Sequence, residues 1–255
     1  MVEVSEQVSV IIPAFNRAAY INETVDSVLS QDYPNVELIV VDDGSTDGTY
    51  KILQEYAEQG KLKLLTHPDH ENKGQSAALN LGLNAASGEF IAILDSDDLF
   101  APGKLSSQVQ FLSDNSEVDL VYGNGLAIDA NGKALFNTLA ESHQESGRPE
   151  ELLLDCYVAI PGGSLVRKPL FEKVGGFEES FRASQDHDMA LRLFENGKVA
   201  YVPEIVFHYR KHGGSISANG LERRWKTGFE ILQRAKSRYP YPAPVVRKRL
   251  AVLNF

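Results

Sequence analysis

Four apolar segments, each followed by a polar cluster and most by a stretch of helical periodicity, fill the first hundred residues and leave few folds open. The segments are "VSVIIPAF" (8–15), "VELIVVDD" (36–43), "KLKLLTH" (61–67) and "EFIAILDSDD" (89–98). Between them lie "AYINETVDSVLSQ" (19–31), a helical pattern over 49–59, and "GQSAALNLGLNAA" (74–86). The segments are apolar at consecutive rather than alternate positions, so both of their faces must be covered. An α/β chain follows, with a Rossmann-like, mostly parallel sheet flanked by helices.

Ligands of such sheets bind beyond the carboxyl ends of the strands. The polar clusters fall there: "PAFNR" (13–17), "DDGSTD" (42–47), "HPDHENKG" (67–74) and "DSDD" (95–98). Asp95, Asp97 and Asp98 place three carboxylates within four residues. Charges that close resist joint ionisation unless a cation sits among them. A helix N-cap before "LFAPGKL" accounts for Asp98 but not for all three. An EF-hand is excluded, because Phe100 stands where that loop needs Gly and no bidentate Glu follows. Hard oxygen ligands at a strand end suit Mg²⁺ or Mn²⁺, which take remaining ligands from water and substrate phosphates. "DDGSTDG" also approaches a calcium loop, but Gln54 occupies its twelfth position. A strand-to-helix turn capped by Asp47 explains it, leaving Asp42 and Asp43 as acceptors for a base or ribose.

The second half is less regular. "VDLVYGNGLAIDANGKALF" (118–136) suggests a strand and a hairpin turning at Asn131-Gly132, and "VAIPGGSLVRK" (158–168) another strand. "QDHDMALRLFENG" (185–197) has helical spacing, and "VAYVPEIVFHYR" (199–210) reads as a last strand pair. Residues 1–217 are expected to form one domain and 218–255 a basic amphipathic helical tail. From Arg210 onward eleven Lys/Arg face two Glu, so a net +9 follows −19. The overall charge of −10 argues against a nucleic-acid partner. A single cysteine, Cys156, allows no internal disulfide. No run of about 18 apolar residues and no basic-then-apolar leader is present, so a cytoplasmic setting is expected.

Five stretches in order carry a family resemblance: "VSVIIPAFNRAAYINETVDSVLSQDYPNVELIVVDDGSTDGT", "ENKGQSAALNLGL", "FIAILDSDDLFAPGKL", "GGFEESFRASQDHDMALRL" and "HYRKHGGSIS". Together, over about Val8 to Ser217, they resemble the motifs of family 2 glycosyltransferases, which have the GT-A fold. The resemblance implies inverting transfer of a sugar from a nucleotide diphosphate, usually a UDP-sugar, to a glycan or lipid-linked acceptor with Mn²⁺ or Mg²⁺. By similarity Pro13, Ala14 and Phe15 with Asn16 and Arg17, Asp42 and Asp43, and Asn72, Lys73 and Gly74 would hold the nucleotide. "DSD" would be the DXD motif, with Asp95 and Ser96 toward the ribose, Asp97 on the ion, and Asp98 free to cap the helix. The late acidic pair is Gln185-Asp186 here, which makes Asp186 the implied base, while Gln185, which departs from the usual Glu, is a candidate to touch the diphosphate or acceptor.

The chemistry asks for the same groups: single displacement at an anomeric carbon needs a carboxylate to take a proton and a cation to steady the leaving diphosphate. Asp186 and Asp188 are two apart on a helix and point in different directions; Asp188 reads as a first-turn charge favourable to the helix dipole. His212 follows the last strand and is either structural or, as the resemblance implies, a ligand to the ion. Arg210 beside it is a candidate for the diphosphate. Gly162 and Gly163 admit either a close acceptor or an ordinary tight turn. Leu221, Trp225, Phe229 and Leu232 lie at helical spacing among Arg223, Arg224, Lys226, Arg234 and Lys236, which fits packing on the domain or a peripheral membrane contact. A sugar nucleotidyltransferase and an NAD-dependent dehydrogenase both want a Gly-rich phosphate loop that "IPAFNRAAY" lacks. A non-catalytic nucleotide-sugar binding module remains the rival of another class.

Overall fold

The computed structural model describes residues 6–213 and 221–254, and the side chains of all of these but 221–224. Strands β1 (Val8–Ala14), β2 (Val36–Asp42), β3 (Lys63–Thr66) and β4 (Phe90–Ile93) alternate with helices α1 (Ile21–Leu29), α2 (Thr49–Glu58) and α3 (Gln75–Ala85). There follow β5 (Leu99–Phe100), α4 (Lys104–Asp114), β6 (Leu120–Ile128), β7 (Ala134–Asn137), α5 (Pro149–Leu154) and the single turn α6 (Ile160–Gly163). The remainder is β8 (Ser164–Arg167), α7 (Lys168–Val174), α8 (Gln185–Asn196), β9 (Val199–Arg210), α9 (Leu221–Arg238) and α10 (Ala243–Leu253). One sheet holds all the described strands in the order β3-β2-β1-β4-β8-β6-β9-β5, with β7 beside β6.

The four strands expected in the first hundred residues form its parallel part, β3-β2-β1-β4. Ile11 at the middle of β1 faces Ile39 of β2 on one side and Ile93 of β4 on the other. Beyond β4 the sheet becomes mixed: β8 is antiparallel to both β4 and β6, while β6 and β9 run parallel to each other. Alternate side chains feed two cores. Val10, Ile12 and Val40 pack with Ile21 and Val25 of α1, Leu53 of α2 and Leu105 of α4. Ile11, Ile39 and Ile93 pack with Leu79 of α3, Met189 and Leu193 of α8, and Leu232 of α9. Covered faces on both sides explain the unbroken apolar strands.

The structure corrects the sequence in three places. The expected last strand pair is one twelve-residue strand, β9. Its register against β6 slips between Gly123↔Val202 and Asn124↔Ile205, on either side of Pro203-Glu204. Pro203 has no N–H for the ladder, so the chain bulges there instead of turning. Only Ser164–Arg167 of the segment 158–168 is strand. Asp98 caps no helix: α4 begins at Lys104 behind Gly103, and the short strand β5 intervenes, pairing Leu99 with His208 and Phe100 with Phe207.

The basic tail packs. Ile231, Leu232 and Ala235 of α9 and Leu253 of α10 are buried, and Arg238 pairs with Asp188 and Glu195 of α8. Trp225 is half exposed. The expected boundary at 217/218 lies outside the described residues. Among those described, no helix is long and apolar enough to cross a membrane.

Candidate active site

The loops at the carboxyl ends of β1, β2 and β3 lock into one another. Asn16, held at φ 53° after β1, donates its amide to Ser45 Oγ (3.0 Å), and its Oδ1 accepts from Thr46 N (2.8 Å). Arg17 N donates to Thr49 Oγ1 at 2.7 Å. Asp47 accepts from Thr49 N (3.0 Å) and Ala18 N (3.1 Å), so it serves both the start of α2 and the neighbouring loop. Asp43 accepts from the amides of Lys73 and Gly74, each at 2.8 Å, and thereby fixes the loop before α3. Gly44 lets these two loops touch, since a Cβ there would lie 2.4 Å from the carbonyl oxygen of His70. Asp42 is fully buried: Oδ1 accepts from Ser45 N at 3.0 Å, and Oδ2 has no partner among the described residues. Pro13 and Ala14 are buried, whereas Phe15, Asn72 and Lys73 stand exposed on the rim.

The acidic cluster after β4 is threaded with cations. Asp97 Oδ2 accepts from Arg17 Nε and lies against His212 Nε2, both at 2.9 Å. Tyr20 packs on the His212 ring, centroids 4.6 Å apart. Asp95 accepts from Gln75 Nε2 at 2.7 Å. Burial, with Asp97 and Asp186 nearby, pushes the Asp95 carboxyl up to about 7, while Arg17 and Gln75 pull the other way. Ser96 is buried beside it. Asp98 is buried too, and desolvation together with Asp95 and Asp97 raises it well above the usual carboxylate range. In place of a helix cap it accepts the backbone amide of Arg210 at 2.7 Å, tying the end of β9 to the acidic loop.

Arg210 does not fit the expected part of diphosphate ligand. It is 2% exposed, and its guanidinium is spent on Asp97 O (3.0 Å), Ala130 O (3.0 Å) and Glu23 Oε2 (2.6 Å) above the Tyr20 ring. With each guanidinium nitrogen bonded internally and the group nearly inaccessible, it has little to give a ligand. Gly162 and Gly163 are corrected likewise, because both are buried and the close approach they permit is to Phe207, not to an acceptor. At Gly162, φ is +82° and a Cβ would lie 2.4 Å from Phe207 Cδ2. Gly162→Ala is therefore expected to cost about 1–3 kcal/mol through overpacking and backbone strain. Urea unfolding checks this, and an unchanged midpoint contradicts the packing.

Helix α8 brings the late motif to the same rim. It starts behind Ser184, held at φ 58°, and carries Gln185, Asp186 and Asp188 in its first turn. Gln185 Nε2 donates to Gln75 Oε1 (2.6 Å), which completes a chain from Asp95 through Gln75 to Gln185. Asp186 is half-buried, accepts no hydrogen bond among the described residues, and lies close enough to Asp95 and Cys156 to raise both. Asp188 points away, buried between Arg192 (2.9 Å) and Arg238 (3.3 Å). Gln75, Glu23 and Tyr20 were missed by sequence reasoning. Only Gln75 left a signal, as the first residue of a helix opening on the rim.

The chain and its fold have known counterparts. Residues 9–175 match the family model described as Glycosyl transferase family 2. The chain belongs to glycosyltransferase family 2. The putative teichuronic acid biosynthesis glycosyltransferase TuaG of Bacillus subtilis is 34% identical over 225 residues, covering 87% of this chain and 86% of its own. An uncharacterized glycosyltransferase of Rickettsia typhi is 31% identical over 86% of this chain and 68% of its own, and one of Rickettsia bellii, also 31% identical, is covered over only 32% of its length. Among solved structures, S. aureus TarS 1–349 in complex with UDP-GlcNAc superimposes with a TM-score of 0.75 at 21% identity, over 91% of this chain and 66% of that one. The mannosyltransferase PcManGT of Pyrobaculum calidifontis, in complex with GDP-Man and Mn²⁺, gives 0.68 at 24%, over 96% and 69%. These likenesses show the GT-A fold, and the family makes this chain a glycosyltransferase.

Proposed function

We propose that this glycosyltransferase moves a sugar from a nucleotide-diphosphate donor, a UDP-sugar in the first instance, to an acceptor hydroxyl with inversion, with Asp186 as general base. The observation that carries the reading is the meeting, on one rim, of the Asp97–His212 pair with Asp186, both within electrostatic reach of Asp95. TuaG's assignment to teichuronic acid biosynthesis supports a glycan or lipid-linked acceptor here.

The residues fit a divalent ion. One carboxylate and one imidazole at 2.9 Å form a hard oxygen and nitrogen pair that suits Mn²⁺ and, less well, Mg²⁺. Among the described residues no group of three His, Cys, Asp or Glu could hold a metal, so the remaining ligands would come from diphosphate and water. When bound there, the ion would supply Lewis-acid stabilisation of the leaving diphosphate. Phe15 presents an exposed aromatic face to a base, and the unpartnered Oδ2 of Asp42 is a buried acceptor at the end of β2. Lys73, whose amide Asp43 holds, and Asn72 before it flank the same opening. Gln75 orients Asp95 toward ribose or sugar. Asp186, with no internal partner, is free to accept the acceptor's proton.

The test is a thermal-shift screen of UDP-, GDP- and dTDP-sugars with and without Mn²⁺. Linkage gives about 2.7 kcal/mol at a hundredfold excess over Kd, several degrees for a chain of this size. One nucleotide series is expected to raise Tm only with the metal present. No shift with any donor contradicts the reading.

A further inference from the structure

We infer that Arg17 is a resident counter-ion which occupies Asp97 in the donor-free chain and must leave before a divalent ion binds, so that metal affinity stays low until a diphosphate arrives. This rests on the proposed role of Asp97 and His212. Arg17 Nε and His212 Nε2 converge on one and the same oxygen, Asp97 Oδ2, each at 2.9 Å. A metal drawing on that oxygen would meet the guanidinium at close range, and two cations on one carboxylate oxygen repel strongly where solvent is scarce. The side chains of Arg17 and Asp97 are only 16% and 14% exposed.

The cluster explains why a cation is kept there at all. Asp95, Asp97 and Asp98 lie along one loop, and Asp186 acts on Asp95 from α8. Among the described residues, Arg17 and Arg210 face this charge, and they differ in what holds them. Arg210 is locked by Glu23 and two backbone carbonyls and is itself nearly inaccessible. Apart from Asp97, the guanidinium of Arg17 hydrogen-bonds among the described residues only to the carbonyls of its own loop, Phe15 O (3.2 Å) and Asn16 O (3.0 Å). The loop is pinned by backbone bonds to Ser45 and Thr49, so the side chain can swing while the loop stays. A diphosphate brings anionic oxygens that suit the planar guanidinium fork. Arg17 then has a partner to move to, and donor and metal each raise the other's affinity.

The experiment titrates Mn²⁺ alone into the full chain and follows the free-ion signal by electron paramagnetic resonance. It is then repeated with the nucleoside diphosphate that stabilises the protein best. Arg17→Gln is expected to bind Mn²⁺ at least tenfold more tightly than the parent without nucleotide, and the gap is expected to shrink below threefold with it. Arg17→Lys, whose ammonium can reach the same oxygen, keeps the low affinity. Adding Asp97→Asn to Arg17→Gln abolishes the gain. Equal Mn²⁺ affinity of parent and Arg17→Gln without nucleotide, while the nucleotide still promotes binding, overturns the part given to Arg17 and leaves the metal reading standing. A gain that survives Asp97→Asn overturns it too. Absence of Mn²⁺ binding in every protein even with nucleotide sinks both.

Discussion

Asp186→Asn is expected to leave the chain folded and able to bind donor, and to lower turnover by roughly 10²–10⁴-fold, the usual worth of a positioned general base. Asparagine has the shape of aspartate but cannot take the acceptor's proton. Little else is lost. Asp186 accepts no hydrogen bond among the described residues, so no partner is orphaned. Its charge in the first turn of α8 contributes about 0.3–1 kcal/mol with the helix dipole. That loss is offset in part by relief of its repulsion with Asp95. The measurement pairs nucleotide release under single-turnover conditions with donor Kd by calorimetry. A rate within threefold of the parent removes Asp186 as the base. A parent that binds donor yet turns over on no hydroxyl acceptor or water is the non-catalytic binding module instead.

What the sequence made legible follows from how local each signal is. Strands β1, β2 and β4 are buried on both faces, and β3 is an edge strand flanked by α2 and α3, so an apolar run with a neighbouring helical period is enough to find each. Their loops fall on one rim by topology alone, which is why the four polar clusters could be assembled before any contact was known. Two-residue β5 has no period to read, and it exists because β9, more than a hundred residues later, supplies its ladder partner. Asp98 therefore reads as a helix cap in the sequence, and in the structure it caps none. Arg210 and Gly162 failed similarly: a basic residue after a strand looks available for ligand until Glu23 and Asp97 O are found around it, and Gly162 answers to Phe207, 45 residues on. The chain from Asp95 through Gln75 to Gln185 joins residues up to 110 positions apart, and no spacing rule reaches that far. The pairing of His212 with Asp97 came only from the family resemblance.

A buried cation away from the site should give the fold a measurable pH dependence. Lys104, on α4, is 1% exposed and forms no ion pair among the described residues. Its Nζ donates to Gln108 Oε1 at 2.6 Å and Ser164 O at 3.2 Å, and lies 4.5 Å from the centre of the Phe100 ring. Burial lowers its pKa from 10.5 to about 7. The unfolded chain therefore takes up this proton below about 10.5, while the folded chain refuses it until about 7. Between those values the unfolded state binds more protons, so stability falls as pH falls, by up to about 1.4 kcal/mol per pH unit for one group. Below about 7 both states are protonated and this contribution is flat. Lys104→Met keeps an unbranched side chain of similar length and removes the titration. Urea unfolding of both proteins at pH 7.5 and 9.5 should show parent stability rising relative to the variant by about 2–3 kcal/mol over the interval. The difference between the two proteins cancels every titrating group common to both. Parallel pH curves would mean that Lys104 is charged in the folded chain at neutral pH, with solvent reaching an ammonium the packing otherwise seals.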